Sequence, residues 1–264
     1  VFVVGAVHGD DLNGTGIDDA CEPPTQACCL PDRSCQDLDY MACVNLGGDP
    51  QGPLTSCIAG IVCNPIKWAQ PPVYDEMPPR PECFNGWDEI SHFACPGCQL
   101  VADDWLCSDA DPISDIHWWG SYVGWDEASG APPDAPDLFH VGIWSDVKAT
   151  AATPFSHPGE LLWQWIVPRD MLNERPVGCD MHTTHPRDTC FRYDLRLPDG
   201  EFEWFYQLPR PRVYWISISA VYLAGSPPAF PWGWKTRPHF WNDDAVVITA
   251  PNAPVPGDPW LEGF

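Results

Sequence analysis

The chain has 264 residues, with 37 Asp and Glu against 13 Lys and Arg and a formal charge of −24. That balance excludes nucleic acid and anionic membrane surfaces, which are bound through a basic face, and leaves cations, above all calcium, and neutral sugars. With 32 prolines the chain is not mainly helical, since each interior proline costs a helix about 3 kcal/mol, whereas 15 Trp, 11 Phe and 7 Tyr supply a core.

The 13 cysteines point to an oxidising setting, extracellular or at a cell surface. No apolar run approaches the roughly 18 residues needed to cross a membrane, so no membrane insertion is expected. The chain opens on Val1 rather than Met, which reads as a removed leader or a missing upstream part.

Residues 1–7, VFVVGAV, are wholly apolar and β-prone. A strand apolar on both faces needs burial on both. Residues 1–10 are therefore expected to act as an exchange strand. Val1, Phe2, Val3, Val4 and Val7 would insert into the sheet of a neighbouring copy, with backbone hydrogen bonds giving affinity. A head-to-tail contact of that kind that does not close produces a filament.

Residues 11–22, DLNGTGIDDACE, fit the twelve-residue calcium loop. Asp11, Asn13, Thr15, Ile17 (through its carbonyl), Asp19 and Glu22 fall at positions 1, 3, 5, 7, 9 and 12, with Gly16 at the sharp turn. The alternation turns every second side chain toward a hard cation, and Thr15 is the weakest ligand. With Cys21 included, the string resembles a thrombospondin type 3 repeat and is similar to the dockerin-type loop. Calcium is the cofactor that this resemblance and the ligand spacing imply.

The module at 23–66 carries ACCLPDRSCQDLDYMACVNLGGDPQGPLTSCIAGIVC over 27–63. It resembles the small C-C-L-P-D-G-x-C cysteine-rich motif that stands beside calcium repeats in large secreted proteins of environmental bacteria. Arg33 stands where that motif has glycine. Cys28, Cys29, Cys35, Cys43, Cys57 and Cys63 allow three bridges and 15 connectivities. The adjacent Cys28-Cys29 pair and the lack of a C-x-x-C argue against zinc.

Residues 67–98 read as a Pro-rich linker and a Cys-containing lead-in segment. Residues 99–264 read as a Trp-rich β-sandwich. Strand patterns recur at 113–123, 138–147, 160–167, 190–197, 202–208, 213–223 and 245–250, between proline- and glycine-rich turns. In CFRYDLRL, 190–197, Phe191, Tyr193, Leu195 and Leu197 alternate with Arg192, Asp194 and Arg196. This spacing predicts a mainly β fold, an antiparallel jelly-roll-like sandwich, with at most a turn or two of helix near 36–46. QLVADDWLCSDADPISDIHWWGSYVGW, FHVGIWSDV, VYWISISAVYL and PWGWKTRPHFWNDDAVVI resemble an uncharacterised Trp-rich domain of similar secreted bacterial proteins. Cys179 and Cys190 are expected to close the loop between them.

No H-E-x-x-H, G-x-S-x-G, phosphate loop or dinucleotide fingerprint is present, so the chain does not read as an enzyme. The expected function is a structural subunit of an extracellular filament or surface assembly, partnered by copies of itself and stabilised by calcium and disulfides. The alternative is a secreted glycan-binding or adhesive module with Trp118, Trp119, Trp232 and Trp234 as its platform. A glycoside hydrolase, which needs only two carboxylates, comes third.

Overall fold

The computed structural model describes residues 25–52, 55–74, 83–93, 98–107, 110–126, 130–180, 188–198, 204–208, 212–223, 228–239, 241–242, 245–250 and 261–262. It divides into two compact units, Val1–Ile66 and Lys67–Phe264. Neither the exchange strand nor the calcium loop lies among the described residues.

In the first unit, β1 (Gln26–Cys29) pairs antiparallel with β2 (Cys35–Leu38) and with β3 (Asp49–Pro50). The short helix α1 (Tyr40–Asn45) follows β2, and the Asp39 side chain caps it by accepting from the Ala42 N–H at 2.9 Å. Successive residues of a strand face opposite ways, so the neighbours Cys28 and Cys29 reach different partners. Cys28 bonds to Cys43 on α1, Cys29 to Cys63, and Cys35 to Cys57. A Cβ at Gly48 would stand 2.6 Å from the Cys28 sulfur, so only glycine leaves room for that bridge. Arg33 sits at φ 70°, in the left-handed region that glycine adopts without steric cost. That explains why the motif resembled by this module has glycine there.

The second unit is two six-stranded sheets. One contains β4 (Cys83–Phe84), β5 (Asp88–Ile90), β7 (Asp115–Tyr122), β10 (Asn173–Asp180), β11 (Asp188–Arg196) and β13 (Trp232–Lys235). The other contains β6 (Cys98–Cys107), β8 (Leu138–Val147), β9 (His157–Pro168), β12 (Arg212–Val221), β14 (Val246–Ala250) and β15 (Leu261–Glu262). Their orders are β4-β10-β11-β7-β13-β5 and β15-β14-β6-β12-β8-β9. The chain crosses between sheets from β5 through β8, stays for β9, returns for β10 and β11, then crosses again at β12, β13 and β14. With β11 wedged between β7 and β10, the series β5-β13-β7-β10 faces β6-β12-β8-β9, which is the jelly-roll winding.

The two inner faces meet in an aromatic core. Phe139 of β8 lies 5.7 Å from the Trp118 ring, 5.3 Å from Tyr193 and 5.1 Å from Trp232. Val141, Val167, Ile218 and Ala220 complete one side, and Ile116, Tyr122, Phe191 and Leu195 the other. Each of these residues alternates with a polar or outward neighbour, as the pleat requires.

The stretch expected as a linker is part of the sandwich unit. β4 and β5 both lie within it, Pro71 and Pro72 are buried, and the Tyr74 ring stacks on Phe84 at 4.9 Å. The Pro71 carbonyl accepts from the Arg237 guanidinium at 2.8 Å. Within 202–208, expected as a strand, the described residues make only an isolated bridge, between Phe205 and Ile113.

Candidate functional site

β4 and β5 are the two edges of one sheet, yet only residues 85–87 separate them. From Phe84 to Asp88 the chain reaches about 14 Å at most, while six flat strands would set their edges about 24 Å apart. The sheet must therefore curl until its edges approach, concave on the side away from the sandwich core. Glycines make the curl possible. A Cβ at Gly233 would stand 2.8 Å from that of Asp88, and one at Gly178 would stand 2.9 Å from the Phe84 ring.

The concave face encloses a polar interior. Lys235 and Asp88 are register partners on β13 and β5, and Asp180 and Asp188 are register partners on β10 and β11. The Lys235 ammonium lies 2.8 Å from Asp180 Oδ1, with side chains 1% and 0% exposed. Ser121 Oγ donates to Asp180 Oδ2, and Asp88 shares a hydrogen bond with Asp180. Asp188 accepts from the Gly124 N–H at 2.9 Å.

Burial first, then the Asp180 charge, pushes the Asp88 carboxyl well above the usual carboxylate range. Burial opposes the charge on Lys235, but the Asp180 carboxylate, the largest of the opposing causes, outweighs it and holds the ammonium above its ordinary value. The Cys190 thiol, also enclosed here, is raised by burial and by the two aspartates. The set can pass a proton between two carboxyls and an amine with water shut out. Among the described residues no group of three His, Cys, Asp or Glu side chains is placed to hold a metal ion.

Further along the same face, Asp194 accepts from His117 at 2.7 Å and from Arg192 at 2.6 Å, and pairs with Arg175. Burial works against its charge, but these partners prevail and keep its carboxyl depressed. The buried Arg192 guanidinium also lies over the Trp119 ring at 5.3 Å.

Several expected sites are placed differently. Cys179 bonds to Cys83, its parallel neighbour on β4, and not to Cys190. The reason is strand parity: Cys179 is opposite Thr189 and Cys190 is opposite Gly178, so the two cysteines face opposite sides. The same alternation removes the tryptophan platform. Trp118 and Trp232 are buried in the core, Trp234 packs against it half-buried, and Trp119 lies on the other face under Arg192. Asp11, Asn13, Thr15, Ile17, Asp19 and Glu22, with Val1, Phe2, Val3, Val4 and Val7, fall outside the described residues. Lys235, Asp180 and Asp88 were not singled out from the sequence. The available signal was scarcity: Lys67, Lys148 and Lys235 are the only lysines in so acidic a chain.

A second feature lies at the opposite sheet. β9, twelve residues long, is an edge, and among the described residues no strand pairs with its outer side. Trp163 and Trp165 pack against the core, while Leu162 and Ile166 are 43% and 47% exposed.

Fold and site together define a disulfide-stapled jelly-roll protein with a curled, charge-filled second interior. A family model described as "Domain of unknown function (DUF7901)" matches residues 66–261, and the chain belongs to that family. No curated protein and no solved structure matches it.

Proposed function

We propose that the chain is a structural subunit of an extracellular filament or surface assembly, growing head to tail by strand addition. The observation that supports this reading is the β9 edge. A long, apolar, unpaired edge is a template for a strand from another chain, and proteins that stay monomeric blunt such edges with lysine, proline or bulges. In β9 the prolines stand at positions 158 and 168, near or at its ends, and Glu160 is the only formal charge between them. The register shifts of its ladder with β8 fall between residues 158 and 163, which leaves 163–168 as the regular stretch of the edge.

The occupant is the segment 1–7 of the next copy. Being apolar on both faces, it would lay alternate side chains beside Trp163 and Trp165 on the inside and beside Leu162 and Ile166 on the outside. Calcium held by Asp11, Asn13, Thr15, Ile17, Asp19 and Glu22 would stiffen the joint behind that strand. The disulfides are compatible with an extracellular location. Among the described residues no helix is long and apolar enough to cross a membrane.

The test is negative-stain microscopy of the full chain with calcium. Filaments are expected, and they should be lost on deleting residues 1–7, with Val3→Asp, or with Leu162→Lys plus Ile166→Lys. A full-length chain that stays monomeric at high concentration with calcium, or a deletion variant that still polymerises, overturns the reading.

A further inference from the structure

We propose that Lys235 and Asp180 become joined by an intramolecular isopeptide bond inside the curled sheet, with Asp88 relaying the protons. The inference is independent of the assembly reading and concerns a modification of the second unit itself.

Three observations carry it. The Lys235 Nζ sits 2.8 Å from Asp180 Oδ1, and the described residues bring neither atom a well-aligned hydrogen bond. A fully buried ammonium with one carboxylate oxygen at contact distance still leaves N–H groups unmet, and an amide in its place has one N–H and no charge. Secondly, the two groups come from β13 and β10, strands separated by β7 and β11, and the curl presses them together. Fixing two reactants at contact distance in a closed site replaces a bimolecular encounter with an effective concentration of up to about 10⁵–10⁸ M. Thirdly, a second carboxyl, that of Asp88, is hydrogen-bonded to the reacting one. Burial pushes the Asp88 carboxyl up, toward the acid form, and its Oδ1 has no hydrogen-bond partner among the described residues.

The step balances without a co-reactant. A proton passes from the Lys235 ammonium to the Asp180 carboxylate, leaving an amine beside an acid. The Nζ lone pair attacks Asp180 Cγ, and the carbonyl π pair moves onto an oxygen that the Ser121 hydroxyl stabilises. The nitrogen gives a proton to one Asp88 oxygen while the Asp88 O–H protonates the departing oxygen. The C–O bond breaks, the oxyanion closes to the new C=O, and water leaves. One ammonium and one carboxylate have become one amide and one water, and Asp88 ends protonated as it began. Asp88 is thus the catalytic residue, and Ser121 the donor at the developing oxyanion.

The experiment is intact-mass spectrometry of the full chain after complete reduction. The wild type should be lighter than its sequence mass by one water, and digestion should yield a branched peptide containing both Lys235 and Asp180. Lys235→Arg and Asp180→Ala should restore the full mass. Asp88→Asn should keep the far-ultraviolet spectrum of the wild type and also run at full mass. If the first two variants fail to fold, the branched peptide from the wild type decides alone. A wild type at full mass, or a water loss without that branched peptide, overturns the bond. A bond formed undiminished in Asp88→Asn overturns the relay.

Discussion

In the first unit the buried apolar cluster is Cys28, Leu30 and Cys43, with Leu38 beside it, and three disulfides hold it. In the second, aromatic rings from two sheets fill the core, and among the described residues one bridge, Cys83–Cys179, stands at a sheet edge. The difference follows from surface and volume. A segment of about 40 residues cannot bury enough apolar area to offset its conformational entropy, so covalent links do the work. A sandwich of 200 residues or so can, and its disulfide is an addition to a fold that already stands.

The sharpest way to break the comparison is reduction. In a reducing agent residues 25–66 should lose their protected amides entirely, while the sandwich keeps its strand signal and near-ultraviolet spectrum. Loss of both together would mean that the sandwich also depends on covalent support.

Next in size is Phe139→Ala, which removes the ring shared by Trp118, Tyr193 and Trp232. It should cost the sandwich about 3–5 kcal/mol in urea unfolding and leave the module's amide protection unchanged. Replacing Cys83 and Cys179 by Ser together should cost less, about 2–4 kcal/mol, with the spectrum of the folded state retained.

Acid sharpens the contrast further. Burial lowers the His92 ring from 6.5 to about 4. The unfolded chain takes up that proton below pH 6.5 and the native one only near pH 4, so the stabilisation is present above 6.5 and drains away between the two values. His140, lowered by burial against the opposing pull of Gln164, acts in the same sense. The Asp88 carboxyl, raised by burial, acts in the opposite sense, so the histidine contribution is read as the difference in urea midpoint between the wild type and His92→Gln, which should shrink as pH falls through this window. Residues 25–66 contain no histidine, and the module's midpoint should not respond to that substitution. The smallest effect is Arg33→Gly, which should raise the module's stability by about 1 kcal/mol by relieving the left-handed backbone.

Much of the sandwich was legible because period-2 alternation is a local signal. Residues 138–147 are β8, and 113–123, 160–167, 190–197, 213–223 and 245–250 overlap β7, β9, β11, β12 and β14. β10 was not, because Pro176 and Gly178 flank a bulge that interrupts its pattern. β4 and β5 were hidden in a proline-rich stretch and are only two and three residues long. The module's six cysteines were legible as a disulfide set, whereas Cys179 and Cys190 misled, since closeness in sequence says nothing about which face each side chain takes. The Lys235, Asp180 and Asp88 cluster was out of reach for a different reason. Its members meet only because a sheet curls, and curl is a property of strand order that no single segment encodes.

The Cys83–Cys179 bond has a mechanical consequence. It closes a covalent ring over a sequence separation of 96 residues that contains β5 through β9. Tension applied to the two ends of the chain would pass from residue 83 straight to residue 179, and the strands inside the ring would bear no load. A puller would therefore record a contour length short by that ring. By the same logic a single protease cut between residues 84 and 178 would leave one molecule of unchanged extent, with its path from end to end intact.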